Sequence, residues 1–142
     1  MTEQQLIDIA KAPTIAYNKK DWQGVKGAMA ADCVYDEIAT HRKMQGSDQV
    51  IEVWKEWAAA FPDSMATFHN AVVSDSTVIL ELSWRGKNTG PMQMPSGKMP
   101  ATGKSIDMRA CQVLEIKDGK VNSMRQYFDM MTMMQQLGMA KS

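Results

Sequence analysis

The feature that most constrains this chain is a single change of hydrophobic period at Phe61-Pro62. Before it, apolar residues recur every three to four positions, the spacing that lines one stripe of a helix. Leu6, Ala10, Pro13 and Tyr17 form such a stripe over Thr2 to about Lys20. Thr2 is the expected N-cap, and Pro13 is expected to kink or interrupt the helix. Trp22, Val25 and Met29 mark a second helix from Asp21 to about Ala30, and Cys33 to Ile38 reads as a short strand. Val50, Trp54, Trp57, Ala58 and Phe61 mark a third helix that starts at Gly46-Ser47, with Ser47 as its cap. Pro62 ends it, because the residue before a proline is pushed out of helical conformation.

From Ser64 onward the pattern is extended. Met65 to Val73, Val78 to Trp84, Ile106 to Lys117 and Val121 to Phe128 read as strands. Ser74-Asp75-Ser76 turns the first pair, and Asp118-Gly119 turns the second, since Asp and Gly suit the positive φ of tight hairpins. The Gly-, Pro- and Met-rich stretch between Thr89 and Gly103 reads as a loop placed to cover part of a cavity. Near Asp129 the chain turns helical again. Three helices, a long antiparallel sheet and a short C-terminal helix predict an α+β fold in which a curved sheet wraps the helices. The 142 residues are expected to form one domain, 1–142.

Composition excludes several function classes. Lys plus Arg equals Asp plus Glu at 16 each, so the basic excess expected of a nucleic-acid or anionic-membrane surface is missing. No apolar run approaches the about 20 residues needed to cross a bilayer. Without a basic and apolar leader at the N-terminus, and with Cys33 and Cys111 read as free thiols, the expected compartment is the cytoplasm. No HxH, CxxC or HExxH pattern points to a metal, and no Gly-x-Ser-x-Gly elbow points to a hydrolase. Neither metal nor organic cofactor is expected. Five of the 14 methionines, Met130, Met131, Met133, Met134 and Met139, crowd the last helix. Packing and a subunit interface are their expected roles, in a homodimer or homotetramer.

The strand before Asp129 carries the chemistry candidates. If it runs without a bulge, Val121, Ser123, Arg125, Tyr127 and Asp129 share one face, and Asp129 stands at the mouth of whatever the sheet encloses. Two readings of Asp129 are open. As a helix N-cap it would be held ionised, and in an apolar pocket its pKa would rise toward that of a useful base. Arg125 stands about 13 Å away along the strand. It either binds a substrate oxygen or pairs with Glu115 or Asp107. Tyr127 can donate to a carbonyl oxygen, or is an ordinary sheet tyrosine. His69 shares a face with Met65, Thr67, Ala71 and Val73, as a general acid or a structural histidine; His41 lies in a polar loop. Trp54, Trp57, Trp84 and Tyr17 are large aromatics that pack a core and can also line a pocket for a small-molecule substrate.

Several motifs in order resemble the SnoaL-like polyketide cyclase (ester cyclase) group of the NTF2-like superfamily. They are Gly46 before the third helix, Phe61-Pro62-Asp63 after it, the run Trp84 to Gly90, Ala101-Thr-Gly-Lys104, Asp118-Gly-Lys-Val121, Asp129 and Gln136-Leu137-Gly138. The resemblance implies a cone, with three helices packed on a strongly bent sheet around a deep pocket. It also implies a cofactor-independent aldol-type ring closure of a carbonyl compound, with Asp129 at the catalytic aspartate's position. Arg125 and Ser123 stand where the family often has Trp and Glu, and Asn88 stands where it often has His, which makes Asn88 a substrate-binding candidate. Isomerisation, dehydration, epoxide opening, or a non-catalytic binding or oligomerisation role are the alternatives on the same fold.

Overall fold

Helix α1 (Glu3–Asn18) begins with a reciprocal cap: the Thr2 hydroxyl accepts from the Gln5 amide, and the Gln5 side chain accepts from the Thr2 amide. It runs through Pro13 without the expected interruption. Pro13 is buried between Ala10 and Tyr17, so packing outweighs the one backbone bond a proline forfeits. Helix α2 (Trp22–Ala28) is capped by Asp21. Helix α3 (Ser47–Ala60) has Gly46 rather than Ser47 at its cap position, at φ +91°, which favours glycine. These features come from a computed structural model that describes residues 1–94 and 96–139.

The strands are β1 (Met29–Glu37), β2 (Arg42–Gln45), β3 (Met65–Ser74), β4 (Thr77–Lys87), β5 (Met92–Met94), β6 (Gly97–Met99), β7 (Ser105–Lys117) and β8 (Lys120–Phe128); helix α4 (Met130–Gln136) follows. Six of them form one sheet in the order β2-β1-β8-β7-β4-β3. Asp118 and Gly119 both have positive φ at the β7–β8 turn, as the Asp-Gly pair requires. The expectation of a wholly antiparallel sheet is corrected, because β1 and β8 pair in parallel. No local turn dictates that pairing, so nothing in the sequence near either strand announces it. Strand β2 was missed because Arg42-Lys-Met-Gln45 lacks apolar alternation. Strands β5 and β6 form a small separate hairpin inside the stretch expected to be loop; Pro95 of that stretch lies outside the described residues.

The main core lies between α1, α3 and the inner sheet face, with Ala10, Tyr17, Val25, Tyr35, Val50, Trp54, Leu80, Leu82, Leu114 and Met124 buried. A smaller cluster joins Phe61, Met92, Ile106 and Met108 to Met133 and Leu137 of the C-terminal segment. So part of the terminal methionine set packs inward, while Met131 is exposed. No helix among the described residues is long and apolar enough to cross a membrane.

Candidate functional site

Register shifts in the β1–β8 pair and again in β8 and β3, and the last two decide on which face the chemistry candidates fall. In β8, Val121 opposes Ile116 and Ser123 opposes Glu115, which leaves Asn122 as an extra residue. One extra residue inverts the parity of everything after it. Val121 is therefore inside together with Met124, Gln126 and Phe128, while Arg125, Tyr127 and Asp129 face outward. The same happens in β3, where the register shifts at His69. Ala66 and Phe68 before it, and Ala71 and Val73 after it, pack on the core.

The inner face closes a cavity of about 60 Å³. Tyr17 of α1, Tyr35 of β1, Trp54 and Trp57 of α3, Phe61, Trp84 of β4 and Phe128 of β8 supply aromatic wall. Ile106 and Met108 of β7 and Met133 of α4 supply aliphatic wall. The rings brace one another edge to face: Tyr17 stands 5.9 Å from Trp54 and 5.3 Å from Trp84, and Tyr35 stands 5.7 Å from Trp54.

One end of this cavity is polar and fully buried. Glu37 accepts from the Tyr35 hydroxyl at 2.7 Å, the Thr40 hydroxyl at 2.6 Å, the Trp57 indole at 2.9 Å and Arg42 Nη2 at 3.0 Å. Arg42 continues outward to Glu56, so the buried carboxylate is joined to the surface by one guanidinium. Burial opposes the Arg42 charge, but its two glutamates outweigh that and raise its pKa. The Tyr35 hydroxyl in turn accepts from Gln126 at 2.8 Å, and Gln126 accepts from Trp84 and from Gln112, each at 3.0 Å. Burial, then the Glu37 charge, push the Tyr35 phenol well above its ordinary pKa. Burial also pushes Tyr17 up to about 12, although its 2.6 Å bond with Ser64 pulls the other way. Sequence reasoning missed Glu37. The signal was present: Cys33, Tyr35 and Glu37 alternate onto one strand face, so a core-facing cysteine and tyrosine bring the glutamate inside.

The structure brings Tyr17, Trp54, Trp57 and Trp84 to the cavity wall. It places the other candidates elsewhere. Asp129 is exposed at the start of α4, where it accepts from the Met131 amide at 3.0 Å and the Thr132 hydroxyl at 2.8 Å. The Thr132 hydroxyl, then backbone amides, hold its carboxyl below the ordinary range. Its position at the mouth of the enclosed space is thus corrected by the β8 bulge. It borders a shallow outer depression with Glu81, Arg109, Cys111 and Tyr127. Arg125 lies on the same outer face, opposite Val113, and makes no ion pair among the described residues; Asp107 pairs with Arg85 and Glu115 bonds Thr77. His69 is exposed, 2.7 Å from Ser83 Oγ. Asn88 is buried away from the cavity as a structural hub. Its amide donates to the Ala60 and Gly90 carbonyls, and its oxygen accepts from Thr102. That hub seats the chain so close to α3 that a side chain at Gly90 would strike the Ala59 carbonyl. No three His, Cys, Asp or Glu side chains cluster as metal ligands among the described residues.

Solved structures share this architecture over almost the whole chain. TsrD from Streptomyces laurentii superposes with a TM-score of 0.84 at 18% identity, covering 99% of each chain. IdmH from Streptomyces antibioticus, a candidate polyketide cyclase, gives 0.80 at 23% identity, over 94% of this chain and 99% of its own. An LEH-like epoxide hydrolase from M. tuberculosis gives 0.73 at 18% identity, over 94% and 90%. These likenesses show the NTF2-like fold. No curated protein matches the chain. Residues 7–137 match the profile of the SnoaL-like polyketide cyclases, and the chain belongs to that family.

Proposed function

We propose that this protein is a cofactor-independent enzyme that performs acid–base chemistry on a small, largely apolar carbonyl compound held in the aromatic cavity, of the aldol-cyclisation or isomerisation kind. The observation that carries the reading is Glu37, a fully buried carboxylate at the polar end of a cavity walled, apart from Gln126 and Ser64, by aromatic and aliphatic side chains. Its Oε2 holds the Tyr35 proton. If the Tyr35 O–H turns from Glu37 to the substrate's carbonyl oxygen, one lone pair of Oε2 is freed. That lone pair can take the proton from the carbon beside the carbonyl while Tyr35 donates to the forming enolate oxygen. The C–H bond breaks, an O–H bond forms on Glu37, and Gln126 keeps the Tyr35 oxygen in place. Asp129, exposed on the outer face and not among the residues lining this cavity, is a helix cap in this proposal rather than the base.

A second reading, a non-catalytic binder, draws on the donors that already occupy both Glu37 oxygens. Deuterium uptake beside the carbonyl of aryl and cyclic ketones in D₂O, followed by NMR, separates the two. The enzyme reading expects uptake above the buffer rate, a loss of about 100-fold or more in Glu37→Gln, and no change in Asp129→Asn. Ketone binding without accelerated uptake favours the binder, and loss of uptake in Asp129→Asn alone would move the chemistry to the outer face. We further propose a homodimer through the outer sheet face, where Met65, Val72 and Tyr127 are exposed. A monomer in sedimentation at micromolar concentration would refute that.

A further inference from the structure

Three tryptophans line the cavity, and two of their indole N–H groups have partners. Trp57 donates to Glu37 and Trp84 donates to Gln126. The third, Trp54, is only 5% exposed; its Nε1 lies near the Tyr35 oxygen and pulls against the burial that raises that phenol's pKa, yet completes no hydrogen bond among the described residues. A buried donor without an acceptor is rare enough in folded proteins to require a reason. Tyr17 and Tyr35 pack edge to face against the Trp54 ring, which favours its present orientation. The ring packed against Tyr35 also puts this donor on the wall that carries the Tyr35 hydroxyl.

We propose that the Trp54 N–H anchors the acceptor oxygen of the cavity's ligand and so selects a neutral, planar carbonyl compound. The selection runs against a hydrocarbon of the same shape, which leaves the donor unpaired. It also runs against a carboxylate. An anion would enter beside Glu37, and Arg42 already serves Glu37 and Glu56. The aromatic walls favour a flat ring. This inference rests on the cavity being a small-molecule site.

The test uses the whole protein labelled with ¹⁵N and three probes of nearly one shape: acetophenone, α-methylstyrene and benzoate. Trp54→Phe assigns the Trp54 indole resonance by its loss and removes the donor while keeping a ring. If that variant does not fold, the resonance is assigned through its proximity to Tyr35, and the wild-type comparison decides. Acetophenone is expected to move the Trp54 N–H resonance, whereas α-methylstyrene binds without moving it. The acetophenone-to-α-methylstyrene affinity ratio should fall about 3- to 10-fold in Trp54→Phe. An unmoved resonance with an unchanged ratio would overturn the anchor while leaving the cavity reading intact. Tighter binding of benzoate than of acetophenone would overturn the neutral class. If none of the probes binds, the cavity reading fails and the anchor with it.

Discussion

The two faces of β8 carry neighbouring residues into opposite worlds. Gln126 and Phe128 face an aromatic cavity and Met124 is buried in the main core, and the polar atoms on that side are locked in a chain from Gln112 through Gln126 and Tyr35 to Glu37. Arg125, Tyr127 and Asp129 face outward, where Asp129 completes a helix start. Both faces hold a carboxylate. Inside, it is desolvated and surrounded by fixed donors, so it is coupled to everything the cavity holds. Outside, solvent and two capping bonds stabilise its charge, and its influence ends at the first turn of α4. A single extra residue, Asn122, decides which side chains belong to which face.

The largest effect that tests this contrast is Glu37→Leu. It removes the carboxylate that Thr40, Tyr35 and Trp57 donate to and leaves Arg42 with Glu56 alone, and should cost about 3–5 kcal/mol in urea denaturation. A loss well below that would mean the inner network is not the anchor described. Next is Tyr35→Phe, which removes the link between Gln126 and Glu37 at about 1–3 kcal/mol. Alkaline pH probes the same wall. The folded pKa values of Tyr17 and Tyr35 lie above the ordinary 10.0, Tyr17 at about 12. Their contribution is therefore full below pH 10 and is lost as pH rises from about 10 toward 12 and beyond, because only the unfolded chain ionises them early. Melting temperature against pH should fall in that range, and less steeply in Tyr17→Phe. The smallest effect belongs to the outer face. Asp129→Asn should leave melting at neutral pH nearly unchanged, since Asn also caps. The folded pKa of Asp129 is depressed, so its contribution is present above its unfolded pKa and lost as pH falls through the folded value. The wild type should lose that increment in acid and the Asn variant should not. A large loss of fold in Asp129→Asn at neutral pH would break the contrast from the other side.

Most of the fold was legible because it is written in local patterns. The Thr2 cap, the Asp118-Gly119 hairpin, the α3 stripe and the alternation of β7 are each set within a few residues. What escaped depends on distant partners. The parallel pairing of β1 with β8 joins segments far apart in the chain, and β2 is a polar edge strand recognisable only by its neighbour. The site divided the same way. Large aromatics at helical or strand spacing pointed inward, and Tyr17, Trp54, Trp57 and Trp84 are on the cavity wall. His69, Arg125, Tyr127 and Asp129 were assigned by strict alternation, and the bulges at His69 and Asn122 undo that count. Asn88 was read through the resemblance, but its amide is spent on holding the chain from Gly90 to Thr102 against α3. Glu37 escaped because an acidic residue in a short strand was not followed to the face its own neighbours define.

The central claim is that ligands enter the inner cavity and not the outer depression beside Asp129. A crystal of the protein soaked with acetophenone tests it most directly. The account predicts density for the ring between Trp54, Trp57, Trp84 and Phe128, with the carbonyl oxygen toward Trp54 Nε1 and the Tyr35 hydroxyl. Density confined to the depression lined by Glu81, Arg109, Tyr127 and Asp129 would contradict it.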